Sequence, residues 1–132
     1  MKFVASTPNL FTTDLNRSLA FYRDVLGFAV TVTVPEAPPF VFALLTRDAV
    51  TLYLNDLAAA RKTQPELATS ASVTAGQSGV SVFLHLEGIE PFWEQVRDKA
   101  PVFMPLTTQW YGLTEFTLVD PDGYLVTFAE RR

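Results

Sequence analysis

One order of elements occurs twice within these 132 residues, and no other feature constrains the fold as tightly. Phe3 to Thr12 has the character of a strand, and Pro8 inside it marks an edge, a bulge or a strand start. Leu15, Leu19, Tyr22 and Leu26 then recur at three/four spacing, which predicts an amphipathic helix over Asn16–Leu26. Asp14 is placed to cap its start and Gly27 its end. Three strands follow: Phe28–Val34, Phe40–Thr46 and Ala49–Asn55. Pro35-Glu36-Ala37-Pro38-Pro39 separates the first two and cannot be helical, and a turn at Arg47-Asp48 separates the last two. Leu57 to Ala75 is polar and alanine-rich, with room for a short helix, and Thr69 to Ser78 reads as a mobile loop. After Gly79 the order starts again. Val80–Leu86 is a strand. Ile89, Trp93 and Val96, flanked by Phe92, make a helix that ends near Lys99 before Pro101. Val102–Thr107 is a strand, and Leu113–Glu130 is a hairpin.

That hairpin carries the clearest local signal. Thr114, Phe116 and Leu118 alternate with Glu115, Thr117 and Val119. Asp120-Pro121-Asp122-Gly123 then turns the chain, with Pro121 fixing its own φ and Gly123 supplying a positive one. Arg47-Asp48-Ala49-Val50-Thr51-Leu52 echoes Pro121-Asp122-Gly123-Tyr124-Leu125-Val126. The expectation is α+β: two βαβββ modules forming a curved mixed eight-stranded sheet, helices on its outer face and a concave face opposite. Module one spans about 1–56, a loop about 57–78 and module two about 79–132, within one domain.

Composition excludes several functions. A net charge of −4 provides no basic stripe to neutralise phosphates, so nucleic acid is not an expected partner. No apolar run approaches the ~18 residues of a membrane span. Met1 to Pro8 has no signal-peptide pattern, and the cytoplasm is the default compartment. Cysteine is absent, which removes disulfides, a thiol nucleophile and thiolate-bound metal. There is no Gly-x-Ser-x-Gly elbow, no phosphate-cradling loop and no identifiable pair of catalytic carboxylates.

Thr13-Asp14-Leu15 with Ser18-Leu19-Ala20-Phe21-Tyr22-Arg23-Asp24-Val25-Leu26-Gly27-Phe28 resembles the opening signature of the vicinal oxygen chelate superfamily. Asp120-Pro121-Asp122-Gly123-Tyr124 resembles its closing signature. That superfamily includes glyoxalase I, fosfomycin-modifying enzymes, extradiol dioxygenases and bleomycin-resistance proteins. The resemblance implies four places where metal-using members carry ligands, and here they hold hydroxyls. Thr7 stands seven residues before Asp14, Thr51 lies on the last strand of the first half, Ser81 opens the strand after the midpoint, and Thr127 lies four residues past Gly123. Neutral hydroxyls are poor ligands for divalent metals beside imidazole or carboxylate. No metal and no other cofactor is expected.

Other candidates come from strand parity and aromatic placement. Ser81, Phe83 and His85 share a strand face, so His85 points into the groove or is held in place as a structural histidine. Phe116 is assigned to the helix side. Glu115 then falls on the groove side, as a polar contact or as a solvated strand carboxylate. The chain carries eleven Phe, four Tyr and two Trp, more than two helix–sheet layers use. Phe40 and Phe42 beside the proline loop, Tyr53, Phe103, Trp110 and Tyr111 remain for a ligand groove or a subunit interface. Thr7, Asn9, Phe40, Phe42, Thr51, Tyr53, Ser81, Phe83, His85, Trp110, Tyr111, Glu115 and Thr127 form the expected groove, with no catalytic residue among them.

The segments Arg47–Tyr53 and Trp110–Phe116 are similar to those of bleomycin-resistance proteins. This implies a metal-free protein, without chemistry of its own, that sequesters an aromatic or cationic drug and works as a homodimer. The alternative is a lyase, isomerase or dioxygenase of the same superfamily whose metal site has moved.

Overall fold

The computed structural model describes residues 1–64, 66–67, 74–76 and 79–131. The chain enters its first sheet later than expected: β1 covers Asn9–Thr12 rather than starting at Phe3. Pro8 has no N–H to donate, and only its carbonyl joins the sheet, accepting from the Tyr53 N–H at 2.9 Å. Phe3 and Val4 stay 90% and 86% exposed.

The capping predicted for Asp14 is present, its carboxylate accepting from the Arg17 N–H at 3.1 Å. It opens α1 (Leu15–Leu19), and the helix widens into a π-helical segment over Ala20–Val25. Phe21 and Tyr22 both lie buried there, edge to face at 4.9 Å. At Gly27 the backbone turns to φ +77°, a region that costs glycine little, and the chain leaves for β2 (Ala29–Val34). β3 (Phe42–Arg47) and β4 (Val50–Asp56) make an antiparallel hairpin in register Leu45↔Leu52. β1 lies parallel to β4, so the sheet order is β1-β4-β3-β2.

Asp56 caps α2 (Leu57–Thr63), the short helix for which the alanine-rich stretch had room. Most of the loop expected over Thr69–Ser78 lies outside the described residues. The second half repeats the first. β5 (Val82–His85) lies parallel to β8 (Leu125–Arg131), and α3 (Ile89–Val96) follows β5. β6 (Val102–Thr108) and β7 (Leu113–Val119) complete a sheet of order β5-β8-β7-β6. The eight expected strands thus form, distributed in two mixed four-stranded sheets with the α+β order of two βαβββ modules.

Alternation then decides the core. Leu52 and Leu54 of β4 and Val126 and Phe128 of β8 turn toward the helices, as does Phe116, whose ring lies 4.9 Å from Trp93. These side chains belong to one buried cluster that includes Tyr22 and Leu26 from the first module. Full burial of each is worth about 1.5–3 kcal/mol, so the shared cluster ties the modules together.

The two signature segments meet at this junction, although 105 residues separate Arg17 from Asp122. Asp122 Oδ1 accepts from the Thr13 N–H and hydroxyl at 3.1 and 2.7 Å and from Arg17 at 3.3 Å. Tyr22 donates its hydroxyl to Asp120 Oδ2 at 2.8 Å, and Asp120 Oδ1 receives the N–H groups of Asp122 and Tyr124. Burial, and then Asp120 beside it, push the Tyr22 phenol well above its ordinary range, so it remains a donor. These signatures hold the halves together.

Candidate functional site

The sheet faces turned away from the helices gather the expected residues into two groups. In the first sheet Thr51, Tyr53 and Asn55 alternate with the buried leucines of β4. By register Asn9 stands beside Tyr53, and Phe42 stands opposite Asn55. The Phe42 and Tyr53 rings approach to 5.5 Å, and Asn55 Nδ2 donates to Asn9 Oδ1. Val32 and Val34 of β2 pair with Leu44 and Phe42 on this face and stay half-exposed. Phe40 goes elsewhere, packing against the buried cluster. Thr7 precedes β1 and is partly buried.

In the second sheet Phe83 and His85 lie on β5 with their rings 5.2 Å apart. Beside them on β8 is Thr127, 8% exposed, its hydroxyl 2.7 Å from that of Thr117. Glu115 of β7 is on the same face and only 5% exposed, and Tyr111 donates its hydroxyl to Oε1 at 2.5 Å. That bond, then burial, raise the Tyr111 phenol above its ordinary value, keeping it protonated. Trp110 stands almost free in solvent, 93% exposed, and touches Tyr111 edge-on at 5.3 Å. Ser81 is exposed just before β5.

Sequence reasoning missed a third feature, an open cleft of about 1130 Å³ beside the β3–β4 turn. Its walls include Phe28, Arg47, Leu84, Phe92, Phe128 and Glu130, and of the candidate residues only His85 borders it. The Arg47 guanidinium sits 5.3 Å over the Phe92 ring and donates to the Leu26 carbonyl. Glu130 accepts the N–H groups of Gly88 and Ile89, at 2.9 and 3.3 Å. Phe92 flanks the apolar stripe of its helix, but nothing in that spacing says what lies across from it.

The residues present do not fit a divalent metal. The four positions implied by the resemblance offer hydroxyl oxygens, and the Thr127 hydroxyl is engaged with Thr117. Among the described residues no three His, Asp or Glu side chains come together as a ligand set. His85 has Phe83 for its ring neighbour.

Paired βαβββ modules, each a mixed four-stranded sheet with its helix packed on one face, define the class of fold. The chain belongs to the Glyoxalase/Bleomycin resistance protein/Dioxygenase superfamily, whose family model matches residues 4–128. A bleomycin resistance protein of Geobacillus stearothermophilus is 28% identical over 134 aligned positions, covering 96% of this chain and 96% of its own. TnmS3, described as an antibiotic binding protein from Streptomyces sp. CB03234, superposes with a TM-score of 0.75 at 14% identity, covering 100% of this chain and 99% of its own. A lactoylglutathione lyase of Agrobacterium tumefaciens superposes at 0.71 with 20% identity, covering 96% and 92%. The last two likenesses concern the fold, which serves a binder and an enzyme alike.

Proposed function

We propose that this chain is a metal-free small-molecule binding protein of the bleomycin-resistance type, sequestering a flat aromatic or cationic drug. The observation that carries the reading is the donor set. Thr7, Thr51, Ser81 and Thr127 are the positions at which the resemblance implies metal ligands, and all four are hydroxyl residues, while aromatic pairs lie on the helix-free faces of the two sheets. The similarity to bleomycin resistance proteins along nearly the whole of both chains supports it. In this reading the rings of Phe42, Tyr53, Phe83, Tyr111 and Trp110 stack on the drug, with Asn9, Thr51, Thr127 and Glu115 as polar contacts. Trp110, 93% exposed, leaves its ring free to stack on such a ligand.

Titration of the purified protein with metal-free bleomycin, followed by tryptophan fluorescence, tests the reading. Saturable quenching is expected, with Trp110→Ala weakening affinity by about 1–3 kcal/mol and Trp93→Phe altering stability instead. Elemental analysis of the same preparation should find no stoichiometric divalent metal. One bound zinc, iron, nickel or manganese per chain would refute the metal-free part. Failure of the wild type to bind would refute the drug.

The reading also includes a homodimer, in the cytoplasm. Both sheets are open, with β1, β2, β5 and β6 at their edges, and bare edges invite pairing. Phe3, Val4, Val34 and Phe103 remain exposed near them. Sedimentation at micromolar concentration should report two chains, and a monomer persisting at millimolar concentration would remove this element.

A further inference from the structure

Glu115 presents an anomaly that folding does not explain. Its Oε2 is buried and has no hydrogen-bond partner among the described residues, while Oε1 accepts from Tyr111. A carboxylate held with one oxygen open is costly, because the water it gave up has not been replaced. A glutamine could accept the same Tyr111 bond without the charge.

Strand register shows what surrounds it. His85, Ala129, Glu115 and Thr107 form one row across β5, β8, β7 and β6. Between His85 and Glu115, roughly 10 Å apart across two strand spacings, stands Ala129, which is itself fully buried. The neighbouring row holds Phe83, Thr127, Thr117 and Met104, and there the two threonine hydroxyls satisfy each other. The unmet hydrogen-bonding capacity of this face is therefore concentrated at Glu115 Oε2. Tyr111, 42% exposed, is tied to it from a turn closed by two backbone bonds, Gln109 N–H to Leu113 O and Gly112 N–H to Gln109 O.

We propose that Glu115 is the charge anchor for an amidinium, guanidinium or ammonium group on a flat ligand. The cation takes both carboxylate oxygens as the Tyr111 hydroxyl turns aside on its turn. The ligand body lies against the exposed Phe83 and His85 rings. Two parallel N–H donors suit a carboxylate best, so amidinium and guanidinium are favoured over ammonium. The inference rests on the small-molecule reading of this face and adds the ligand's chemical class.

Benzamidinium and benzamide, nearly the same in shape and different in charge, provide the test without any drug. Ligand-observed NMR should give wild type at least a tenfold preference for benzamidinium. Glu115→Gln should bring the two within twofold of each other, with a melting temperature equal to or above that of wild type. Tyr111→Phe, which removes the competing donor, should tighten benzamidinium binding several-fold, an effect that loss of a purely structural bond would not produce. A wild type that binds neither probe, or both equally, overturns the proposal, as does a preference retained in Glu115→Gln. Benzamidinium binding without bleomycin binding would keep the anchor and refute the drug. Bleomycin binding unaffected by Glu115→Gln, with no benzamidinium preference, would do the reverse.

Discussion

Phe116→Ala should cost about 3–5 kcal/mol of unfolding free energy, in the range for a large aromatic removed from a tight core. The ring is wholly buried. It lies 4.9 Å from Trp93, 4.9 Å from Phe128 in stacked geometry and 6.0 Å from Phe92. Deleting it loses the transfer free energy of the side chain and leaves a cavity that helix and sheet cannot both close. Phe116→Leu keeps most of the volume and should cost less than half as much. Urea denaturation of the three proteins measures this, with unchanged m-values expected. A loss under 1.5 kcal/mol for the alanine variant would mean that this contact between α3 and the second sheet is far looser than the packing indicates.

Asp120→Ala should cost about 3 kcal/mol, because it leaves the Tyr22 hydroxyl and the Asp122 and Tyr124 N–H groups without their acceptor. The variant should also alter the pH profile. Burial raises the Asp120 pKa above the ordinary 3.8, although the Tyr22 hydroxyl and the two N–H groups oppose it. The folded chain thus holds this proton to higher pH than the unfolded chain, and the contribution of Asp120 declines as pH rises through the interval above 3.8. Asp122 behaves in the opposite sense. Burial pushes it up, but the Thr12 and Thr13 hydroxyls, the Thr13 N–H and the Arg17 charge bring it below 3.8. Its contribution is complete above 3.8 and is lost as pH falls through the lowered value. Asp120→Ala should therefore remove the decline above 3.8 and preserve the acid loss due to Asp122. Thermal melts from pH 3 to 7, a span chosen around ordinary carboxylate values, would show it. If the decline above pH 3.8 persists in the variant, Asp120 is not its source.

The sequence by itself determined the order of elements and, within helices and strands, which residues share a face. Helical spacing set Leu15, Leu19 and Tyr22 inward, and period-two alternation put Phe116 and Glu115 on opposite faces of their strand, with Phe116 assigned to the helix side as the apolar one. The short range of these signals explains their legibility: a cap, a proline or a positive-φ glycine acts within a few residues. The hydroxyls at Thr7, Thr51, Ser81 and Thr127 were equally legible, since they are a matter of residue type. Only the tertiary structure decided that the two signature segments bond to each other, because the Tyr22–Asp120 contact joins residues 98 positions apart. It alone placed Phe40 against the core and left Trp110 in solvent, since an aromatic at a strand end or turn is equally suited to either. It opened the cleft beside Arg47 and Phe92, which depends on how the modules lean on a shared core. The sequence assigned Glu115 to the correct face but could not say that one of its oxygens is sealed without a donor. That depends on the tertiary packing around β7, where the turn at Gln109–Gly112 brings Tyr111 to the other oxygen.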